Sequence, residues 1–369
     1  MRLPALDAHP HAAAVLGSAL TAGTLNHAYL LAGPAGSGKR EAARAFAAEL
    51  LAEGAPDPDG ARVRVQHGSH PDLTWVVPSG VHEMIRADVS HAVVGAAAHT
   101  PFEARRRVFV IERVDVMNDE AANTLLKTLE EPPDYVVLLL LTDRPSQVLP
   151  TIASRCQTVR FDPVPAAVLA ERLQAAGAPA ATALACARLA LGDADRAALL
   201  SEPAGAALRA SAEALARAPL HERAAVERPW RAVLATGAER AAAARAALEA
   251  ARDEELQFVP AKERRRVANG YEERIRRAER RARTGAVDHA LQLAGLWFRD
   301  LACVAAGAPD LAHNADRAGE LAADAAGRRA EPLRAAVALV EDTRSRLLLN
   351  VSEDLALEAL AYRLERLMA

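Results

Sequence analysis

The stretch GPAGSGKR, residues 33–40, is one residue short of a phosphate-binding loop. In the pattern G-x-x-x-x-G-K-[ST], backbone N–H groups of a glycine-rich turn cradle phosphate oxygens. The lysine reaches the outer phosphates, and the final hydroxyl ligates Mg²⁺. Gly33, Gly38 and Lys39 hold their places, with Gly36 between them, but Arg40 stands where the hydroxyl belongs. A guanidinium only donates, is permanently charged and cannot coordinate a metal ion. The flanking residues nevertheless supply the context that the motif requires. HAYLLAG, 27–33, reads as a short buried strand running into the loop. KREAARAFAAELLAEG, 39–54, reads as a helix with Ala42, Phe46 and Leu50 on one face and Gly54 as its stop.

Further strands follow at DLTWVVP (72–78), VFVIERV (108–114), YVVLLLLT (135–142) and QTVRF (157–161). MNDEAANTLLKTLEEPP reads as a helix, with Asn118 as its N-cap, Asp119 and Glu120 complementing its dipole, and an end before Pro132. Apolar strands separated by helices indicate an α/β fold, a parallel sheet covered on both faces. That pattern stops at DPVP, 162–165, a hinge. Everything beyond it reads as helix, first a small unit to residue 202 and then a larger one from 203 to 369. The run 262–283 carries ten basic residues against four acidic ones. It reads either as a solvated helix face or as a phosphate-backbone contact.

A chain of 369 residues is long enough for two or three domains with proper cores. Its net charge of −3 gives no global pull toward nucleic acid or membrane, so such a contact must be local. Cys156, Cys186 and Cys303 are far apart and form no CxxC pair, which fits a reducing cytosol rather than a disulfide framework or zinc site. Asp7, His9 and His11 stand where a signal peptide would need an apolar core. No stretch approaches the roughly 18 apolar residues of a membrane span. The expectation is a soluble cytoplasmic protein with no membrane partner.

Hydrolysis by such a site needs a strand-end acid for the Mg²⁺ shell and a group that orients the attacking water. The corresponding residues are Glu112, whose extra methylene displaces the carboxylate, and Arg113, which cannot accept a hydrogen bond from water. Two cations therefore occupy the positions most directly tied to metal and water. Binding is a separate matter: Gly36, Gly38 and Lys39 could still hold phosphates at a helix N-terminus without metal. The same loop could equally remain as a tight turn. The expectation is no required cofactor and no metal. Residual ATP or ADP binding without Mg²⁺-dependent hydrolysis stays open.

LNHAYLLAGPAGSGK, VFVIERVDVMNDEAANTLLKTLEEPP and LLLLTDRPSQVLPTIASRC together resemble the clamp-loader AAA+ family of bacteria, with the match sharpest over residues 25–161. LWFRDLACVAAG and LLLNVSEDLALEALAYRLERL resemble its collar helices more weakly. The resemblance implies an AAA+ domain over 1–161 with a degenerate loop, a helical lid over 162–202 and an all-α collar over 203–369. The degenerate loop and strand end are similar to the family's non-motor branch. That implies a subunit of the DNA polymerase III clamp loader without ATPase activity of its own. Its implied partners are the tau/gamma and delta subunits, the sliding clamp and primed DNA, in a hetero-oligomer.

In the family, the arginine of the SRC motif enters a neighbouring subunit's ATP site. This gives Arg155 a catalytic role in trans, with Ser154 beside it and Cys156 as a packed neighbour. Thr142 falls at a phosphate-sensing position and Arg196 near the lid's sensor position. Many relatives carry a four-cysteine zinc module after the first helix. Here residues 51–70 contain no cysteine, and HGSHPD (67–72), with His67 and His70, reads as a polar loop. The rival readings are a tau/gamma-like ATPase and a stand-alone DNA-binding module that uses 262–283.

Overall fold

The computed structural model describes residue 6 and residues 8–21, 25–78, 84, 89–347 and 351–369. Asp7 and residues 348–350 of the last collar motif lie outside them. The chain divides into two compact units. The first comprises 1–165 with 192–194, and the second 166–191 with 195–369.

The first unit is built on five parallel strands, β1 Ala28–Ala32, β2 Leu73–Val76, β3 Arg107–Ile111, β4 Val136–Thr142 and β5 Gln157–Arg160, in the order β2-β3-β4-β1-β5. Side chains alternate across a strand, so β1 sends Tyr29 and Leu31 to one core and Ala28 and Leu30 to the other. α1 (Pro10–Thr21) and α2 (Lys39–Ala52) cover the first face, packing Leu16, Phe46 and Leu50 against Val110 and Leu139. α3 (Pro58–His67) follows α2 and buries Val65 in the same core. α4 (Asp119–Glu130) covers the other face with Leu125 and Leu129 against Phe109, Ile111 and Leu138. Burial on both faces explains the unbroken apolar run of β4, all seven residues of which are buried. β5 lies at the sheet edge and buries only Val159. This is the parallel sheet covered on both faces that the sequence pattern indicates. Its strand ends place the loops after β1, β3 and β4 side by side, where ligands bind in open α/β sheets.

Among the described residues the second unit contains no strand. Its longer helices are α5 (Ala166–Ala175), α6 (Ala180–Leu189), α7 (Ala194–Ser201), α8 (Pro203–Leu220), α9 (Trp230–Phe258), α10 (Ala261–Ala305), α11 (Ala318–Ala325), α12 (Ala330–Leu347) and α13 (Glu353–Met368). Ion pairs link them. Arg209 on α8 grips both oxygens of Asp316 at 2.7 Å, and Arg217 reaches Asp324 at 2.8 Å. Asp300 is fully buried and accepts from the backbone of His313 and Asn314 at 2.9 and 2.8 Å. Arg188 on α6 donates to the Ala312 carbonyl, so the helices read as a lid share one compact unit with those read as a collar.

Candidate functional site

The phosphate loop leaves β1 at Gly33, whose N–H donates to the carbonyl of Thr142 at the end of β4. A side chain at Gly33 would collide with the carbonyl of Phe161, 2.2 Å from where its Cβ would stand. Gly33 therefore answers to sheet packing as much as to any ligand. Gly36 and Gly38 both adopt left-handed backbone, φ +64° and +81°, which turns the chain sharply into α2. The loop is walled on two sides. The Asp193 carboxylate lies against Gly36, within 2 Å of where a Cβ would stand, and Ala194 N–H donates to the Gly36 carbonyl at 3.0 Å. His9 approaches Gly38 on the other side and stacks obliquely on Phe161.

Lys39, Arg40 and Arg113 each have a protein anion. Lys39, the first residue of α2, is buried and pairs with Asp143 at 2.9 Å. It also donates to the carbonyls of Gly33 and Pro34 at 2.8 and 2.6 Å. Arg40 reaches across to one oxygen of Glu112 at 2.5 Å, while Trp75 Nε1 donates to the other at 2.6 Å. Arg113 sits in left-handed backbone, φ 56°, and pairs with Asp115 at 3.3 Å and more loosely with Asp143 at 3.9 Å. Thr142 is buried and donates to Asp115 at 3.1 Å while accepting from Arg144 N–H at 3.0 Å.

This donor set does not fit a Mg²⁺–nucleotide complex. The hydroxyl position is cationic, and both oxygens of Glu112, the acid at the end of β3, accept from Arg40 and Trp75. The acids facing the loop already balance its cations.

The sequence reading thus brought together Gly33, Gly36, Gly38, Lys39, Arg40, Glu112 and Thr142 at one edge of the sheet. It missed the partners. Asp115 and Asp143 stand within two residues of Arg113 and Thr142, so local charge spacing could have revealed them. Trp75 and Asp193 meet the site only through strand register and the return of the chain near residue 193, which no local pattern displays.

Arg155 lies away from this cluster, after the helical turn Pro150–Ala153 and before β5. Its guanidinium donates to Glu130 at 2.6 Å and to the Thr151 carbonyl at 2.9 Å. Ser154 Oγ donates to the same carbonyl at 3.2 Å. Neighbouring Cys156 is packed, and burial pushes its thiol up to about 12, so it is no nucleophile. Arg196 donates to Gln292 within the helical unit.

HGSHPD is less polar in structure than in sequence. His67 ends α3, but His70 and Asp72 are buried. Asp72 accepts three backbone N–H groups, from Phe102, Glu103 and Ala104, at 2.6, 2.9 and 2.9 Å. Burial alone would raise its pKa, but these donors outweigh it and hold the carboxyl below its ordinary range. The motif is an exposed loop whose buried Asp72 clasps the segment 102–104. No group of three metal-ligating side chains occurs among the described residues.

Residues 8–165 match the family described as DNA polymerase III, delta subunit. The chain is 44% identical over 135 residues to the DNA polymerase III subunit delta′ of Pseudomonas aeruginosa, covering 35% of this chain and 41% of that one. It is 34% identical over 171 residues to the Bacillus subtilis subunit delta′, covering 45% and 51%. The gamma/tau subunit of Mycobacterium tuberculosis is 33% identical over 162 residues, 42% of this chain and 28% of that one. The chain spans about half the length, or less, of these curated relatives. None of its helices, among the described residues, is long and apolar enough to cross a membrane.

Proposed function

We propose that this chain, which resembles the delta-prime subunit of the bacterial DNA polymerase III clamp loader, is a non-motor subunit of such a loader. In this reading it assembles in the cytoplasm with tau/gamma and delta subunits. It assists ATP-dependent loading of the sliding clamp onto primed DNA and donates Arg155 to a neighbour's ATPase site. The observation that carries the non-motor reading is Glu112, whose two oxygens are taken by Arg40 and Trp75. A tau/gamma-like ATPase is the rival, and Arg40 and Arg113 argue against it.

Arg155 suits a trans-acting role through its position and its present partner. It is partly exposed at the rim of the sheet, and Glu130 holds it by a surface ion pair. Such pairs are worth roughly 0–1 kcal/mol, so a neighbour's phosphate could displace Glu130 at little cost. An arginine supplied in trans can contribute about 10³–10⁵ in rate, or about 4–7 kcal/mol, by stabilising transition-state charge. Lysine keeps the charge and loses the planar fork that engages two oxygens.

The test reconstitutes the loader with wild-type, Arg155→Ala and Arg155→Lys chains and assays ATP hydrolysis with clamp and primed DNA. All three chains should fold and assemble. ATPase activity should fall strongly with alanine and recover little with lysine, and residual turnover should come from the other motor sites. Equal hydrolysis and loading rates would remove Arg155 from the mechanism.

A further inference from the structure

α9 and α10 form a long antiparallel hairpin whose two helices run 29 and 45 residues, with Pro260 at the turn. Its outer half is sewn together along one seam. Tyr271 and Ile275 are buried there, and the Tyr271 hydroxyl donates to Glu255 of α9 at 2.6 Å. Arg245 of α9 grips Glu279 of α10 at 2.6 and 2.8 Å, and Arg252 lies 3.8 Å from Glu272. The arginines of α9 thus take up two acids of α10, and several of α10's own bases are left without them.

At about 100° per residue, Lys262, Arg265, Arg276 and Arg280 fall within an arc of about 60°, on the side of α10 opposite Tyr271 and Ile275. All four are exposed, and none forms an ion pair with a described residue. Glu272 and Glu273 flank that arc, about 20° to either side; Arg252 lies 3.8 Å from the first, and Arg277 holds the second at 2.6 Å, with Arg276 also acting on it. Arg283, at the arc's edge, pairs with Glu353 at 2.7 Å and is left out of the row. The row extends about 27 Å along the helix, at about 1.5 Å per residue. Lys262 with Arg265, and Arg276 with Arg280, are like-charge pairs at i,i+3 and i,i+4, a spacing that weakens a helix. The row therefore does not serve the helix that carries it.

We propose that this outer arc of α10 binds the phosphate backbone of duplex nucleic acid without reading sequence. Charge decides the partner class: the chain as a whole carries −3, yet residues 262–283 carry ten basic residues against four acidic ones. A segregated cationic row is the footprint of a polyanion. No aromatic residue lies on the arc, so it offers none of the stacking platforms on which single strands depend. The apolar side of α10 is consumed in the seam with α9, which leaves no face to enter a membrane surface.

The experiment measures binding of the full chain to a labelled duplex of about 30 base pairs and arbitrary sequence, long enough for the row, between about 50 and 200 mM salt. The variant K262Q/R265Q/R276Q/R280Q is compared with R172Q/R223Q/R329Q/R346Q, which removes the same charge from exposed sites elsewhere on the chain. The first should weaken binding by tenfold or more and flatten the log–log salt slope by about 3–4, at about 0.9 per lost phosphate contact. The second should change affinity less than threefold, about what loss of general charge alone would do. Replacing Arg265, Arg276 and Arg280 by lysine should keep the binding, which separates charge from fold. Equal losses in the two quadruple variants would overturn the proposal. So would an unchanged salt slope, tighter binding to the single strand of the same length, or binding to anionic vesicles but not to the duplex.

Discussion

Glu112 and Arg40 neutralise each other at the position where a phosphate loop carries its metal-ligating hydroxyl. The exchange is cooperative in charge. Once a guanidinium replaces the hydroxyl, a strand-end carboxylate becomes its natural partner, and Trp75 donates to the carboxylate's other oxygen. Asp193 adds a further anion beside Gly36, where a phosphate would lie. Restoring the metal positions alone should therefore not restore the site. The triple variant R40T/E112D/R113E should fail to show Mg²⁺-dependent ADP binding by calorimetry, and the same triple with Asp193→Asn should show it. Equal binding by both would mean that Asp193 is no obstacle. Lys39, Gly36 and Gly38 were readable because a phosphate loop is contiguous in sequence. The clasp around them was not, because Trp75 joins Glu112 through the pairing of β2 with β3, a register that only the folded sheet fixes.

At the scale of elements, β1 and β4 were legible because strands buried on both faces must be apolar throughout, and α4 because Asn118 announces its start and accepts from Ala121 N–H at 2.9 Å. The helical half was legible only as helix. Alanine-rich segments carry a weak periodicity, so nothing in 230–305 marks a hairpin except Pro260. His289 on α10 shows what the packing of these helices does to a titrating group. Its pKa is driven down to about 3, first by burial and then by Arg196, against the opposing pull of Asp288. The unfolded imidazole titrates near about 6.5. Between those values the unfolded chain binds a proton that the folded chain refuses. The stabilisation is present in full above about pH 6.5 and is lost as the pH falls toward 3, by up to about 1.4 kcal/mol per pH unit. Denaturant midpoints at about pH 7.5 and pH 5 should thus fall further apart for wild type than for His289→Leu, by up to about 2 kcal/mol in stability. Parallel losses in the two chains would place the titration elsewhere.

Over the whole molecule, a parallel sheet with a phosphate-loop turn is kept while the positions suited to metal and water are filled by the protein's own charges. The same sheet presents Arg155 at another edge, partly exposed and held only by a surface ion pair with Glu130. On the proposed reading, such a chain turns over no nucleotide of its own and contributes to catalysis through a neighbour. The most direct test is hydrolysis by the purified chain alone, with Mg²⁺ and ATP in excess, beside a Lys39→Ala control. The account predicts that the two are indistinguishable. Turnover at ordinary ATPase rates, roughly 1 s⁻¹ or faster, that disappears in the Lys39→Ala control would contradict it.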